Sequence, residues 1–372
     1  MKRSSDVAAL KGLTWKHDRG LAPLLATGRE FGIEWEARSL HEFGDVSVAS
    51  IAGSYDFIVI DHPFMGDVAR DGYLLPLDEH IPQETLETLA AESVGASHRS
   101  YFYGGHQWAL ALDAASQVSG YRPDLLSHPP RTWDEVLELA KVRPGFVTPA
   151  LLPLDSMMCF FTLCANARQP CCVDPSGPLV DRATGGHALE LLKSLADTAA
   201  PEALSSNPIA IWERMSTSDD IAYCPLAFGY SNYARPGYRN HLLAFTTIPG
   251  ISGATLGGAG IAITRRCADI ETAVKYATCI AGAECQRTVY VQSGGQPGNK
   301  RAWTDPAANA LTTGYFESIL PTLESAFVRP RFPGFIDFQT AAGHAVHAFL
   351  KNEANASATL DRLDTLWHSH AR

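Results

Sequence analysis

The segment from Tyr55 to His62 constrains the fold more than any other part of this sequence. It reads Tyr-Asp-Phe-Ile-Val-Ile-Asp-His and is followed by Pro63, so two polar residues close an apolar run. Continuous apolar runs of this length are typical of strands in a parallel sheet that helices cover on both faces. In such sheets, ligands bind beyond the carboxyl ends of the strands. The pattern therefore places Asp61 and His62 where a small polar molecule would be held.

Length, composition and charge set the class of protein. A chain of 372 residues exceeds one ordinary core, so two domains are expected. The composition, 46% hydrophobic and 19% charged, is typical of globular proteins. No apolar run reaches the roughly 18 residues that span a bilayer, which argues against membrane insertion. The formal net charge of −10 argues against nucleic acid as a partner and against an anionic membrane surface.

The amino terminus and the cysteines bear on the cellular compartment. Lys2 and Arg3 are not followed by the apolar stretch of a signal peptide. The cysteines include one adjacent pair and are otherwise scattered, which favours reduced, structural thiols over disulfides. They are Cys159, Cys164, Cys171, Cys172, Cys224, Cys267, Cys279 and Cys285. The sequence as it stands favours the cytoplasm, whereas removal of an export segment would place the protein in the periplasm or outside the cell.

The order of the predicted elements is that of an α/β protein. Strand and helix patterns alternate at the start, which predicts a β-α-β-α-β unit and a mostly parallel sheet. Residues 132–135, Thr-Trp-Asp-Glu, match a capping box and predict a helix that begins there. The tail from Ile336 to Trp367 is predicted to be helical. Further helices are predicted at 21–31, 39–53 and 83–91, further strands at 33–37, 55–60, 108–120, 221–226 and 242–248, and a segment at 257–263 that leads into a helix.

Several short motifs resemble, in their order, those of a known family. They are the first strand ending in Trp15, the run at 55–60, Gly72-Tyr73-Leu74-Leu75-Pro76-Leu77, the Tyr103-Gly104-Gly105 turn, and the segments at 121–126, 130–135, 257–260 and 294–297. Together they resemble the extracellular solute-binding proteins of ABC importers, of the larger type that includes sugar and maltodextrin binders. The resemblance covers nearly the whole chain.

The resemblance implies a two-lobed, periplasmic-binding-protein-like α/β fold with a hinge and an interlobe cleft. It implies one lobe from 1–115 and 254–312, and a second from 116–253 and 313–372. It also implies a solute-binding protein that captures a small polar molecule, carbohydrate or sugar-acid like, for an ABC importer. A membrane permease is then the partner, and no cofactor is needed. Ligand favours the closed state of such proteins by touching both lobes.

Four candidate ligand contacts follow the first strand, in a loop that the resemblance places at the cleft. Trp15 would stack on a sugar face, and Arg19 would pair with a carboxylate. His17 and Asp18 would form hydrogen bonds with hydroxyl groups. The alternative is that Trp15 belongs to the core and that Asp18 caps the following helix.

Asp61, His62 and Asp113 are the next candidates. The first two follow a strand end, although Asp61 could instead accept hydrogen bonds from the local backbone. Asp113 lies in an apolar segment, and a buried carboxylate needs a partner. A ligand hydroxyl, His62 or Arg19 would each serve, and a structural salt bridge is nearly as good an interpretation.

The remaining candidates lie later in the chain. Tyr230 and Asn232 follow a predicted strand, where the resemblance implies an aromatic platform for ring stacking, with Asn232 as a hydrogen-bonding group. An ordinary turn with its aromatic residues packed inward is the alternative. Asp155 follows an apolar run and is a further candidate. Gly258 and Gln296 lie in glycine-rich segments that favour close backbone approach and turns over phosphate binding.

A cytoplasmic enzyme on the same fold is the competing hypothesis. His17, Asp61, His62 and Asp113 would then supply general acid and base groups, because closure over a substrate excludes water and shifts pKa values. No metal site is expected, since His344 and His347 share a helical face without a third ligand. The sequence also lacks a nucleophile elbow, because the stretch around Ser231 has no final glycine.

Overall fold

The chain is divided into two units, and each unit combines two separated stretches of sequence. The structure, a computed structural model, describes residues 9–39, 48–250 and 253–371. Unit 1 consists of residues 1–114 and 258–302, and unit 2 consists of residues 115–257 and 303–372. Ala115 and the segments 254–257 and 303–312, which the resemblance places in the first lobe, lie in unit 2.

Aromatic packing explains where the second boundary falls. The Trp303 ring contacts Phe316 and Tyr315, with ring centroids 5.2 and 6.4 Å apart. Asn309 Nδ2 donates a hydrogen bond to the Trp303 carbonyl at 2.9 Å. These contacts tie the segment after residue 302 to the helices of unit 2.

The elements of the described residues are given in chain order. The strands are β1 Leu10–Trp15, β2 Ile33–Arg38, β3 Phe57–Ile60, β4 Phe102–Tyr103, β5 His106–Gln107, β6 Leu110–Tyr121, β7 Tyr223–Phe228, β8 Ala244–Thr246 and β9 Leu256–Ile263. The helices are α1 Asp18–Gly28, α2 Val48–Ala52, α3 Met65–Asp71, α4 Gln83–Ala91, α5 Trp133–Val142, α6 Pro153–Asn166, α7 Arg182–Thr198, α8 Pro208–Thr217, α9 Ile270–Ala281, α10 Ala283–Cys285, α11 Lys300–Trp303, α12 Pro306–Leu311, α13 Tyr315–Glu324, α14 Phe335–Leu350 and α15 Ala356–His370. Of the helix predicted at 39–53, residues 40–47 lie outside the described ranges.

The strand pairing is mixed, so the prediction of a mostly parallel sheet is wrong. In unit 1, β1 pairs in parallel with β2 and with β3, as the β-α-β-α-β pattern predicts. β3 then pairs antiparallel with β9, a strand that returns from far along the chain. In unit 2, β6 pairs antiparallel with β7 and with β8. The local pattern predicted the direction of sequential strands only.

The run at 55–60 forms the buried centre of unit 1. All four residues of β3 are at most 2% exposed. Trp35 of β2 and Tyr276 of α9 both pack against Phe57, with ring centroids 5.9 and 5.5 Å away. Burial on both faces confirms the interpretation of this segment as a covered strand.

Unit 2 is organised around α6, whose residues from Asp155 to Asn166 are all buried. This helix packs against α14 and α7 within one large apolar cluster. The capping box predicted at 132–135 is present, because Thr132 Oγ1 accepts from the Glu135 amide at 3.2 Å and the Glu135 carboxylate accepts from the Thr132 amide. In the described part of the chain, no helix is long and apolar enough to cross a membrane.

The backbone conformation at position 258 requires glycine, and this gives a first testable prediction. Its φ is +116°, and a Cβ built there would lie 2.4 Å from the Asp113 carbonyl oxygen. Gly258→Ala should therefore lower the free energy of unfolding by about 2 to 4 kcal/mol, measured by urea titration. Gly53, where a Cβ meets nothing within 4 Å, is the control. Equal stability of the two alanine variants would contradict this assignment.

Candidate functional site

Two predicted polar segments meet at one edge of unit 1. β1 and β3 run parallel, with Gly12 opposite Phe57 and Leu13 opposite Ile58. Their carboxyl ends therefore lie at the same edge of the sheet. The residues 17–19 that follow β1 and the residues 61–62 that follow β3 are brought together there. We call this group the unit 1 edge.

The first of these segments contains the start of α1, which begins at Asp18 and therefore earlier than the helix predicted at 21–31. His17 is the N-cap, and its Nδ1 accepts a hydrogen bond from the Arg19 amide at 3.0 Å. The alternative that Asp18 caps the helix is therefore wrong, because Asp18 already occupies the first helical position. A histidine cap is rarer than a Ser, Thr, Asp or Asn cap, so the local pattern does not predict it. The direct ligand contacts predicted for His17 and Asp18 stay predictions.

Arg19 is the partner of the buried Asp113 carboxylate. The Arg19 Nε donates to Asp113 Oδ2 at 2.7 Å and its Nη2 to Oδ1 at 2.5 Å, a bidentate pair with both side chains buried. Burial raises the pKa of Asp113, the Arg19 guanidinium opposes that rise, and the nearby Asp61 adds to it. Of the three partners proposed for Asp113, the structure assigns Arg19. The ion pair with Asp113 therefore holds the Arg19 side chain inside unit 1.

Asp61 remains partly exposed, with 21% of its side chain accessible. Its Oδ1 accepts from the His62 amide at 2.8 Å and lies 3.1 Å from His62 Nδ1. The His62 ring is buried and packs edge-on to Tyr101, with centroids 6.3 Å apart. Asp61 therefore caps the turn after β3, while part of its side chain stays exposed.

Three other candidates in unit 1 lie within its packing. Trp15 is buried in the apolar cluster, and its indole covers Gly20 so closely that a Cβ at Gly20 would lie 2.4 Å from the ring. Gln296 Nε2 donates to the Ala114 carbonyl at 2.8 Å, which holds β6 in place. Gly258 lies against the Asp113 backbone, as described above. Direct ligand contact by these three residues stays a prediction.

A second edge is formed in unit 2. Residues 147–150 run alongside β7, where the Thr148 amide donates to the Tyr223 carbonyl at 2.9 Å and the Ala150 amide to the Leu226 carbonyl at 3.5 Å. The bridge between Val147 and Tyr223 is parallel. The start of α6 and the loop after β7 therefore leave the sheet at the same edge. Asp155, Tyr230 and Asn232 follow those two points, and we call them the unit 2 edge.

The aromatic residue chosen from the sequence is held by its neighbours. Tyr230 and Asn232 are both buried, and Asn232 lies in a short 3-10 turn at 231–234. The Tyr230 and Tyr233 rings meet edge to face with centroids 6.4 Å apart. This rigid turn fixes where the Tyr230 ring lies, although its stacking role stays a prediction.

Asp155 is the most electrostatically perturbed candidate. It lies in the first turn of α6 and is 8% exposed. Desolvation raises its pKa to about 8. At neutral pH this carboxyl is therefore largely protonated in the folded protein.

Two buried polar residues of β6 were missed from the sequence. Ser116 and Gln117 lie in unit 2, and Gln117 Nε2 donates to Cys159 Sγ at 3.5 Å. Their signal is weak, since they only interrupt a segment that is otherwise apolar. His347, considered as a metal ligand, instead uses Nδ1 to bond the Leu151 carbonyl at 2.9 Å. The part of the chain that the structure describes holds no group of three residues that could bind a metal ion.

Solved structures identify the fold. An ABC-transporter solute-binding protein from Agrobacterium radiobacter, in complex with ribitol, matches with a TM-score of 0.80 at 19% identity, over 98% of this chain and 99% of that one. A solute-binding protein from Thermotoga lettingae, bound to tagatose, matches with a TM-score of 0.81 at 16% identity over 98% and 99%. The chain has the fold of ABC-transporter solute-binding proteins. This two-lobed fold is the class that the motif order predicted.

Further comparisons agree with the solute-binding fold. The maltose-bound MalE3 of T. maritima matches with a TM-score of 0.78 at 17% identity, over 96% of this chain and 98% of that one. A maltotriose-binding protein of Pyrococcus abyssi is 31% identical over 84 residues, 23% of this chain and 18% of that protein. The matched stretch thus spans less than a fifth of that relative. No family model matches the sequence. The named relatives are binding proteins rather than enzymes.

Proposed function

We propose that this protein binds a small polar molecule, a carbohydrate, polyol or sugar acid, and delivers it to the permease of an ABC importer. The observation that carries the proposal is the placement of polar side chains at the carboxyl ends of β1 and β3 in unit 1. Proteins with open α/β sheets bind ligands at such ends. The likeness to sugar- and polyol-bound proteins of the same fold supports the class of ligand.

The two edges have different roles in this proposal. At the unit 1 edge, Asp61 accepts hydrogen bonds from ligand hydroxyl groups, and the Arg19–Asp113 pair holds the start of α1 in position. At the unit 2 edge, the Tyr230 ring packs on the apolar face of the ligand and Asn232 bonds its hydroxyls.

A thermal shift panel tests the proposal. At least one sugar, polyol or sugar acid should raise the melting temperature, since ligand at 100 times Kd stabilises a protein by about 2.7 kcal/mol. Asp61→Asn and Tyr230→Ala should each remove most of the shift. Asp71→Asn, on the surface of unit 1, should leave it unchanged. The absence of a shift across a broad panel would count against the proposal.

Binding without turnover separates this proposal from the competing enzyme hypothesis. The compound that stabilises the protein should be recovered intact after long incubation, and chromatography of the mixture provides the measurement. Conversion of the compound that His62→Ala abolishes would favour the enzyme instead.

A further inference from the structure

Asp155 differs from the other buried acids of this chain. In the described residues the buried acids are Asp56, Asp113 and Asp155. Asp56 accepts a hydrogen bond from the Lys11 amide at 2.8 Å and lies 3.7 Å from the Arg266 guanidinium, and Asp113 holds Arg19. Asp155 has no such donor or cation, and desolvation alone accounts for its raised pKa. Buried carboxylates are normally paired, so this exception requires an explanation.

The groups that surround Asp155 in the described part of the chain carry no positive charge that would pair with an ionised carboxylate. Cys159, one turn further along α6, and Cys224 of β7 lie close enough to interact with it electrostatically, and burial raises the pKa of both thiols, which keeps them neutral. His347 of α14 approaches the start of α6 but bonds the Leu151 carbonyl, and burial lowers its pKa. The surroundings of Asp155 are therefore neutral at pH 7.

The carboxyl of Asp155 keeps some accessible surface. Neither of its oxygens belongs to the fully buried polar atoms that lack a hydrogen bond. The 8% of the residue that stays exposed therefore includes the carboxyl.

A second acceptor, on β6 and next to the same face of α6, also lacks a donor among the described residues. Gln117 Nε2 contacts Cys159, which lies four residues after Asp155 and so on the same helical face. The Gln117 Oε1 atom is buried and has no hydrogen-bond partner among the described residues. This part of unit 2 thus holds a further polar atom whose hydrogen-bonding capacity is unused among the described residues.

We propose that Asp155 receives a protonated amine of the solute, so that the ligand is a hydroxylated molecule with a basic nitrogen, such as an amino sugar or an amino polyol. This inference rests on the proposed binding function and narrows its ligand class. A hydroxyl group could form a hydrogen bond with the protonated carboxyl of Asp155, whereas a cation also stabilises its ionised form and pairs with it. The net charge of −10 attracts cationic solutes at long range.

Matched ligand pairs test this inference by titration calorimetry. Glucosamine is compared with glucose, and 1-amino-1-deoxysorbitol with sorbitol, at pH 7. The amine of each pair should bind at least ~10-fold more tightly, because its ammonium group is paired with a desolvated carboxylate. Asp155→Asn should abolish that preference, whereas Asp337→Asn, on the surface of unit 2, should keep it. Equal affinity within both pairs, or a preference that survives Asp155→Asn, would overturn the inference.

The pH dependence gives a readout that a structural role would not produce. Binding of the amino polyol ionises Asp155, so its affinity should rise by up to ~10-fold per pH unit between pH 6 and 8, while the alkylammonium stays charged. The affinity for sorbitol should not rise, and Asp155→Asn should flatten the amine profile. If the neutral compounds bind as tightly as their amines, this inference is overturned and the wider proposal of a binding function still stands. The absence of binding by all four compounds counts against it and against the wider proposal.

Discussion

Replacing Arg19 by methionine is expected to lower the free energy of unfolding by about 3 to 5 kcal/mol. The substitution leaves the Asp113 carboxyl buried without its cation, and breaking a buried ion pair in this way is strongly destabilising. Both side chains of the pair are at most 5% exposed, so water cannot replace the two lost hydrogen bonds. Urea denaturation at pH 7, followed by circular dichroism, measures the difference.

The double variant Arg19→Met with Asp113→Leu is the control for this prediction. It removes both charges, so much of the lost stability should return, since apolar replacements of buried ion pairs are often nearly neutral. A double variant that is as unstable as Arg19→Met alone would show that the arginine contributes through packing and not through its charge. Arg70→Met, at an exposed ion pair of unit 1, should change stability by less than about 1 kcal/mol.

Asp155→Asn is expected to stabilise the protein, increasingly so as the pH rises. The pKa of Asp155 is about 8 in the folded protein against an ordinary value of 3.8. Protonated Asp155 therefore favours the folded state fully below pH 3.8, and that contribution is lost as the pH rises through 8. Between pH 5 and 8 the stability of the variant relative to the wild type should grow by on the order of 3 to 4 kcal/mol.

Parallel urea titrations of the two proteins at pH 5, 6, 7 and 8 measure this gain. Other titrating groups are common to both proteins, so only the difference between them is interpreted. A difference that stays constant with pH would contradict the raised pKa of Asp155. Residues that bind a ligand often lower the stability of the unliganded protein.

The fold was largely predictable because its strongest signals are local. The apolar run at 55–60 and the capping box at 132–135 each depend on a few adjacent residues, and the structure contains both. The antiparallel pairing of β3 with β9 could not be predicted in the same way. It joins Phe57 to Ile263, and no local pattern specifies which distant strand will pair with a given edge.

The candidate site was predictable in position more than in chemistry. Strand ends marked Asp61 and His62 from the sequence, since the end of an apolar run can be read directly. The partner of Asp113 could not be assigned, because Arg19 is 94 residues away along the chain. The lack of a partner for Asp155 was equally invisible, since burial and missing hydrogen bonds are properties of the folded chain.

The most direct test of the binding function is a calorimetric titration of the most stabilising compound into the wild type and into two variants, one from each edge. Asp61→Ala alters the unit 1 edge, and Asn232→Ala alters the unit 2 edge. One molecule should bind per chain, and each variant should weaken binding by at least ~10-fold, because each loses ligand hydrogen bonds. Unchanged affinity in either variant, or no binding by the wild type, would contradict the proposed roles of Asp61 and Asn232 in ligand binding.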